Sequence, residues 1–220
     1  LKYKINLIMK INTINKKEIE KFSEIAEEWW DPLGKFKPLH KFNPIRISYI
    51  RDNIVNTLNL KNKKRPLENI SILDVGCGDG VWSMVLSDYY NVTAIDNSIQ
   101  GINNAKKAAI KYKKNINFIC NDIQNIDDKY DVVFCRCPSF FGGYAPDDKV
   151  FQKFLPIVMN LCKKTLYFIV YSRPPFSTYA NEKKTSYYHD PNILKNLFEN
   201  YGKVELKYER NYIILKINIG

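Results

Sequence analysis

The sequence predicts an α/β fold with a doubly wound, mostly parallel sheet of seven strands that ends in an antiparallel hairpin. Apolar runs alternate with helical patterns along most of the chain, which is typical of parallel sheets with right-handed crossovers. The last two apolar runs, 204–208 and 212–219, are separated by only three residues. So short a link fits only an antiparallel pair of strands.

The remaining elements follow from the same patterns. Strands are predicted at 70–75, 92–95, 116–120, 131–135 and 165–171. Helices are predicted between them at 81–87, 99–111 and 148–162. Upstream, Asn15 and Glu18 form a capping-box pattern that predicts the start of a first helix, and a second helix is predicted at 45–60. We therefore divide the chain into an N-terminal helical extension, residues 1–66, and a main α/β domain, residues 67–220.

Composition limits the class of protein. The chain has 220 residues, 45% of them hydrophobic, and no apolar run is long enough to predict a membrane-spanning helix. The first residues lack the continuous apolar stretch and the cleavage site of a signal peptide. The five cysteines are odd in number and scattered. We therefore expect reduced thiols and a cytoplasmic location.

The net charge of +11 has two interpretations. It is typical of a surface that binds nucleic acid or an acidic membrane. It also follows from a composition rich in Lys, Asn and Ile, because the basic clusters at 61–65, 106–114 and 183–184 are spread along the chain. Nucleic-acid binding and peripheral membrane contact therefore stay open without being favoured, and the sequence predicts no oligomeric state.

The stretch ILDVGCGDG, residues 72–80, places a glycine-rich turn between the first predicted strand and the first predicted helix. A ligand meets the carboxyl ends of the strands at this point of a doubly wound sheet. A Walker loop would end in Gly-Lys-Ser/Thr, and a dinucleotide fingerprint would read G-x-G-x-x-G. This turn reads G-x-G-x-G after Asp74, whose carboxylate would repel a pyrophosphate but suits a ligand that carries an ammonium group.

The segment LDVGCGDG resembles motif I of the class I S-adenosylmethionine-dependent methyltransferases. The resemblance implies a Rossmann-like methyltransferase fold, with S-adenosylmethionine as the cofactor and S-adenosylhomocysteine (SAH) as its product. It also implies that Asp96 accepts hydrogen bonds from the ribose hydroxyls and that Asp122 lies beside the adenine. The alternatives are a helix N-cap for Asp96 and a solvated turn for Asp122. The cofactor contacts implied in the main domain are Asp74, Gly76, Cys77, Gly78, Gly80, Asp96, Asn97, Asp122, Ile123 and Cys135.

A second resemblance lies upstream. The pieces WWDP at 29–32, FKPLH at 36–40 and NPIR at 43–46 are similar to the N-terminus of the ubiquinone-biosynthesis O-methyltransferases. In that family the segment covers the cofactor, which implies that Arg46 reaches the methionine carboxylate through a bidentate pair. Trp29 and Trp30 could shield the sulfonium or line the acceptor pocket. The alternatives are a surface arginine and tryptophans that only pack the N-terminal helices on the sheet.

The sequence departs from the quinone family after the fourth strand, where it reads CRCPSFFGGYAPDD. The Glu-His pair that the family associates with a metal and the acceptor is missing, so no metal is predicted. Cys135 and Cys137 form a CxC pair without a second pair at ligand spacing, which is not a zinc pattern. Phe140, Phe141 and Tyr144 could line an acceptor pocket, with loop packing as the alternative.

His40 and His189 are the only histidines, so they are the candidate general bases for a phenolic acceptor. The segment 172–191 is long for a strand-to-helix connection, which is typical of substrate lids or of flaps that touch a membrane. The leading hypothesis is an enzyme, an S-adenosylmethionine-dependent methyltransferase that O-methylates an aromatic or lipid-like small molecule. An RNA or protein methyltransferase and a non-catalytic cofactor-binding protein are the alternatives.

Overall fold

A computed structural model describes residues 67–172, 187–209 and 211–220, together with positions 33, 34, 37, 48, 51, 52, 55 and 56. The residues described within the predicted helix 45–60 are helical: Ser48, Arg51, Asp52, Val55 and Asn56. The predicted contacts Trp30, His40 and Arg46 lie outside the described residues. Most of the predicted lid, residues 173–186, does so as well.

The described main domain alternates strands and helices, as its sequence predicts. The strands are β1 (Ser71–Val75), β2 (Asn91–Asp96), β3 (Asn117–Cys120), β4 (Tyr130–Arg136), β5 (Cys162–Tyr171), β6 (Lys203–Glu209) and β7 (Tyr212–Asn218). The helices are α1 (Val81–Leu86), α2 (Ile99–Lys111), α3 (Ser139–Gly142), α4 (Lys149–Leu161) and α5 (Pro191–Glu199). A 3₁₀ turn covers Ile123–Asn125.

The strands form one seven-stranded sheet in the order β3-β2-β1-β4-β5-β7-β6. The first five strands are parallel to one another, whereas β7 is antiparallel to both β5 and β6. The chain order reverses between β1 and β4, so this is the topological switch point, where ligands of open α/β sheets bind. The predicted fold class is confirmed, including the terminal antiparallel hairpin.

Two apolar layers cover the sheet. On one face Phe151 and Phe154 of α4 and Phe198 of α5 pack on the central strands. On the other face Trp82 and Leu86 of α1 join a second cluster. Because both faces are covered, the parallel strands read as continuous apolar runs. In the part of the chain that the structure describes, no helix is both long and apolar enough to cross a membrane.

The structure differs from the predicted elements at helix ends. The helix predicted at 148–162 covers Lys149–Leu161, because Asp148 is its N-cap and Cys162 already begins β5. Helix α5 was implied only as the helix that follows the connection 172–191, without bounds; Asp190 caps it by accepting hydrogen bonds from two backbone N–H groups, and Pro191 opens its first turn. The Asp-Pro pair is a helix start signal that the sequence analysis assigned to a loop.

Candidate functional site

The glycine turn between β1 and α1 is tied to the end of β2. Gly76 and Cys77 both donate backbone hydrogen bonds to the carbonyl of Ile95. Asp96, the last residue of β2, accepts from the Gly78 N–H at 2.9 Å and from the Ser98 N–H at 2.8 Å. Ser98, not Asp96, is the N-cap of α2. The Asp96 carboxylate therefore fixes the turn, and its remaining lone pairs are available for ribose hydroxyls.

Three turn glycines have left-handed backbones, with φ of 70° at Gly76, 54° at Gly78 and 75° at Gly80. A Cβ at Gly80 would lie 2.9 Å from Ala105 of α2, and one at Gly76 would lie 3.0 Å from the side chain of Pro138. A Cβ at Gly78 would meet nothing within 4 Å. Gly76 and Gly80 thus serve packing within the protein, whereas Gly78 borders the open space in which a ligand fits.

Asp74 is a buried carboxyl in the middle of the sheet, with 2% of its surface exposed. Its Oδ2 accepts a hydrogen bond from the Ser83 hydroxyl of α1 at 2.5 Å. Burial raises the pKa of Asp74 from 3.8 to about 7, although the bond from Ser83 and the charge of Arg136 lower it. A cationic ligand would restore the ionised form, because an opposite charge lowers a carboxyl pKa.

Three carboxyls around the turn, those of Asp74, Asp79 and Asp96, have a raised pKa. Burial raises the pKa of Asp79 to about 7 and also raises the pKa of Asp96. Asp96 in turn raises the pKa of both Asp74 and Asp79. Perturbed carboxyls that cluster at one turn are typical of a functional site. The cluster favours a ligand with positive charge.

The described residues hold neither a thiolate at Cys77 nor a cluster of metal ligands. Burial raises the pKa of Cys77 well above its ordinary value, and the carboxylates of Asp74 and Asp96 raise it further. The Cys77 thiol therefore stays protonated. All five cysteines are free, and no group of three or more His, Cys, Asp or Glu in the described part of the chain is arranged to hold a metal ion.

The other predicted cofactor contacts lie along the same edge of the sheet. Asp122 caps the 3₁₀ turn by accepting hydrogen bonds from the Gln124 backbone and side chain. Asn97 follows β2 and is partly buried, and Ile123 is buried beside β3. Cys135 at the end of β4 is fully buried in the core. The buried side chain leaves only the backbone of Cys135 for contact with a ligand, and its predicted role in cofactor binding stays a prediction.

His189 is not an accessible base, which corrects the sequence prediction. Its ring is 1% exposed and lies against Phe151 and Tyr187. Nε2 lies 2.9 Å from the carbonyl oxygen of Phe141 and must donate to it, because a carbonyl only accepts. Burial lowers the pKa of His189 from 6.5 to about 4. The residue fastens the segment before α5 to helix α3.

The predicted aromatic acceptor wall is also revised. Phe141 is fully buried between Phe151 and Phe168, so it belongs to the core. Phe140 stacks on Phe154 at 4.5 Å between ring centroids. Tyr144 alone among the three predicted residues is exposed. The sequence read this segment as a loop, but Ser139–Gly142 forms α3, which turns the two phenylalanines inward.

A cluster that was not predicted from the sequence lies where β4 and β5 end and β7 begins. We call Trp82, Arg136, Tyr171 and Tyr212 the arginine cluster. The guanidinium of Arg136 lies 5.4 Å from the ring centroid of Trp82 and 5.3 Å from that of Tyr212. It donates to the Tyr212 hydroxyl at 3.0 Å. The available signal was a charged residue inside the apolar run VVFCRC.

These residues fit S-adenosylmethionine. The open side of Gly78 provides the space, and Asp96 offers acceptors for a ribose. The carboxyls of Asp74, Asp79 and Asp96, whose pKa values are raised, can compensate the charge of an ammonium or sulfonium group. A doubly wound sheet with an antiparallel terminal hairpin and this turn at its switch point defines the class I methyltransferase fold, and the comparisons with known proteins then give the family. Residues 66–208 match the family model described as a methyltransferase domain, so the chain belongs to that family.

The curated relatives agree with this assignment. The chain is 49% identical over 126 residues to a ubiquinone biosynthesis O-methyltransferase of Pelagibacter ubique, a match that covers 56% of this chain and 52% of the relative. It is 40% identical over 126 residues to the protein of that name from Coxiella burnetii, again over 56% of this chain and 49% of the relative. The chain thus spans about half the length of the curated relatives it matches.

Solved structures show the same fold at low identity. The magnesium protoporphyrin IX methyltransferase of Synechocystis PCC 6803, crystallised with SAH, has a TM-score of 0.64 and 16% identity, over 94% of this chain and 96% of that one. An S-adenosylmethionine-dependent methyltransferase of Clostridium acetobutylicum has a TM-score of 0.60 and 16% identity, over 91% and 98%. The predicted fold and the predicted methyltransferase family are confirmed.

Proposed function

We propose that the protein transfers a methyl group from S-adenosylmethionine to an oxygen of an aromatic or lipid-like small molecule. The observation that carries the proposal is the glycine turn held by Asp96, with open space at Gly78 and three perturbed carboxyls around it. The relatives named ubiquinone biosynthesis O-methyltransferase support an oxygen acceptor of this class. All five thiols are free, which supports the proposed cytoplasmic location.

The cofactor supplies a methyl group that its cationic sulfur already activates, so the protein has mainly to position the reactants and exclude water. The Gly78 backbone admits the amino-acid end of the ligand. Asp96 holds the ribose and the turn together. Asp74 balances the ligand's positive charge. His189 takes no part in proton removal because its ring is buried and its pKa is low. His40 stays a prediction.

The class of acceptor is tested by product partition. The protein is incubated with methyl-labelled S-adenosylmethionine and host extract, and the products are divided between organic and aqueous phases. We expect label in the organic phase. Aqueous label that nuclease or protease releases would favour an RNA or protein methyltransferase instead. Cofactor affinity without transfer to any fraction would favour a non-catalytic binding protein.

The cofactor site is tested by Asp96→Ala. We expect SAH affinity, measured by calorimetry, to fall by about 1.5–3 kcal/mol, the range for hydrogen bonds to a charged group. Asp88→Ala is the matched control, because Asp88 pairs with Lys114 on the surface, just before β2 begins. An Asp96→Ala variant that keeps its fold and binds SAH like the wild type would refute the placement of the ribose.

A further inference from the structure

Arg136 is placed at the carboxyl edge of the sheet, close to the glycine turn. Cys135 pairs with Val75 of β1, so Arg136 follows at the level where β1 gives way to the turn. Its side chain lies on the α1 face, over Trp82. The arginine cluster spans β4, β5 and β7, whereas Asp96 and Asp122 lie at the ends of β2 and β3. The cluster is thus on the far side of the turn from the expected nucleoside.

The guanidinium of Arg136 is partly buried and has no anionic partner among the described residues. A guanidinium has five N–H donors, and the hydrogen bond recorded for Arg136 uses one of them, on the Tyr212 hydroxyl. Within the described ranges, no carboxylate forms an ion pair with it: the nearby Asp74 is close enough to have its pKa lowered but bonds to Ser83 instead. Partly buried charges in proteins are usually paired. Within the described ranges, no anion balances the charge of the Arg136 guanidinium.

The cluster is pre-organised to receive one. The rings of Trp82 and Tyr212 hold the guanidinium by cation–π contacts. Tyr212 donates from its hydroxyl to that of Tyr171 at 2.9 Å, and the two tyrosine rings stack with centroids 4.6 Å apart. Because the Tyr171 oxygen accepts this bond, its own O–H is left as a donor. A fixed arginine fork with a phenol donor nearby matches a carboxylate.

We propose that the arginine cluster binds a carboxylate of a ligand beside the glycine turn, with Arg136 as the residue that contacts it. The proposal rests on the proposed methyltransferase function and names the feature by which the enzyme recognises its acceptor, an aromatic carboxylate. The methionine end of the cofactor carries the same group and is the second possible source. The position of the cluster, beyond β1 on the side of β4, β5 and β7, favours the acceptor.

The test uses two pairs of probes that differ in bearing a carboxylate. SAH is compared with methylthioadenosine, which lacks the amino-acid end, and protocatechuate is compared with catechol in the presence of SAH. Affinities are measured by calorimetry for the wild type, Arg136→Met and Arg136→Lys. Arg51→Met is the matched control, since Arg51 also stacks on a ring, that of Tyr89, but just before β2 at the opposite edge of the sheet.

We expect Arg136→Met to weaken protocatechuate binding by roughly ten- to a hundredfold, with catechol binding unchanged. The protocatechuate affinity of Arg136→Lys should lie between those of the wild type and Arg136→Met, because lysine keeps the charge but lacks the two-pronged guanidinium donor. Loss of SAH affinity with unchanged methylthioadenosine affinity would assign the carboxylate to the cofactor and also support the site. If Arg136→Met lowers the affinity for both members of each pair equally, or for no probe, the carboxylate site would be overturned. A wild type that binds neither SAH nor methylthioadenosine would refute the proposed function, and protocatechuate and catechol, then compared without SAH, would still test the carboxylate site.

Discussion

Asp74 is the residue in which the demands of folding and of function conflict. A carboxyl in the middle of a buried strand is costly to ionise, and its raised pKa expresses that cost. Ser83 relieves only part of it through one hydrogen bond. An apolar residue would suit the strand better, so the carboxyl is best explained by a positively charged ligand that binds beside it.

The pH dependence of stability tests this explanation. The folded pKa of about 7 exceeds the ordinary 3.8, so the contribution of Asp74 is fully present below about pH 4 and is lost as pH rises through 7. Each pKa unit corresponds to about 1.4 kcal/mol, so the loss is as much as about 4 kcal/mol. Asp79 and Asp96 shift in the same direction and add to it.

We expect Asp74→Asn to flatten the fall in unfolding free energy between about pH 5 and pH 7.5, measured by urea denaturation without ligand. The same variant should bind SAH more weakly, because the neutral amide no longer balances a cation. Ser83→Ala provides the comparison, since it keeps the carboxyl and removes its hydrogen-bond donor. A pH profile of Asp74→Asn that superimposes on the wild type would contradict the assignment.

Residue spacing was enough to predict the turn and its carboxylates. Gly78 and Asp96 meet as the strand–turn–helix pattern predicts, because both lie at the ends of adjacent parallel strands. His189 and Arg136 could not be assigned in this way. The state of His189 depends on the Phe141 carbonyl, 48 residues earlier, and that of Arg136 on Tyr212, 76 residues later. Such long-range contacts leave no local pattern.

At the level of elements, α2 ends in a complete Schellman motif built on a lysine. Lys113 has a left-handed backbone with φ of 53°. Its N–H bonds to the Ile110 carbonyl, and the N–H of Lys114 bonds to the Ala109 carbonyl. Glycine usually occupies this position because it lacks the Cβ that clashes there. The helix end therefore stores local strain at an exposed site.

Lys113→Gly should raise the unfolding free energy by about 0.5–1 kcal/mol, because relief of the left-handed strain outweighs the added freedom of the unfolded chain. The measurement is the urea midpoint. Lys111→Gly is the matched control two residues earlier, inside the last helical turn, and should lower stability by about 0.5–1 kcal/mol. Destabilisation by both substitutions would contradict this account of the helix end.

Elements were predictable where periodicity or a cap marks them. The helix predicted at 99–111 matches α2, whose Ser98 cap and buried face are both visible in the sequence. Helix α3, with four residues, is too short to show a period. The end of α4 was missed by one residue because Cys162 is apolar and continues the pattern while it changes to a strand.

On the scale of the whole molecule, the chain carries a large excess of positive charge, part of it outside the candidate site. The candidate site lies at the carboxyl edge of the sheet, whereas exposed lysines lie along α2, at 106, 107 and 111, and just after it, at 113. With a net charge of +11, the folded chain repels itself more strongly at low ionic strength. We expect the urea midpoint to rise when the ionic strength increases from about 0.01 M to 0.15 M, as screening shortens from about 30 to 8 Å.

The matched measurement uses sucrose at equal osmolality, which does not screen charge. A midpoint that stays constant or falls with salt would show that self-repulsion does not limit stability. Salt-sensitive binding to RNA in the same range would point instead to a polyanionic partner and would strengthen the alternative acceptor class.

Strand β7 lies between β5 and β6 in the sheet, although β6 precedes it in the chain. Among the described strands β6 pairs with β7 alone, so it cannot join the sheet before β7 does. Until β7 is in place, the edge of β5 stays unpaired as well. A folding intermediate that lacks β7 would therefore expose an apolar strand edge, at which a holding chaperone would decide between folding and aggregation.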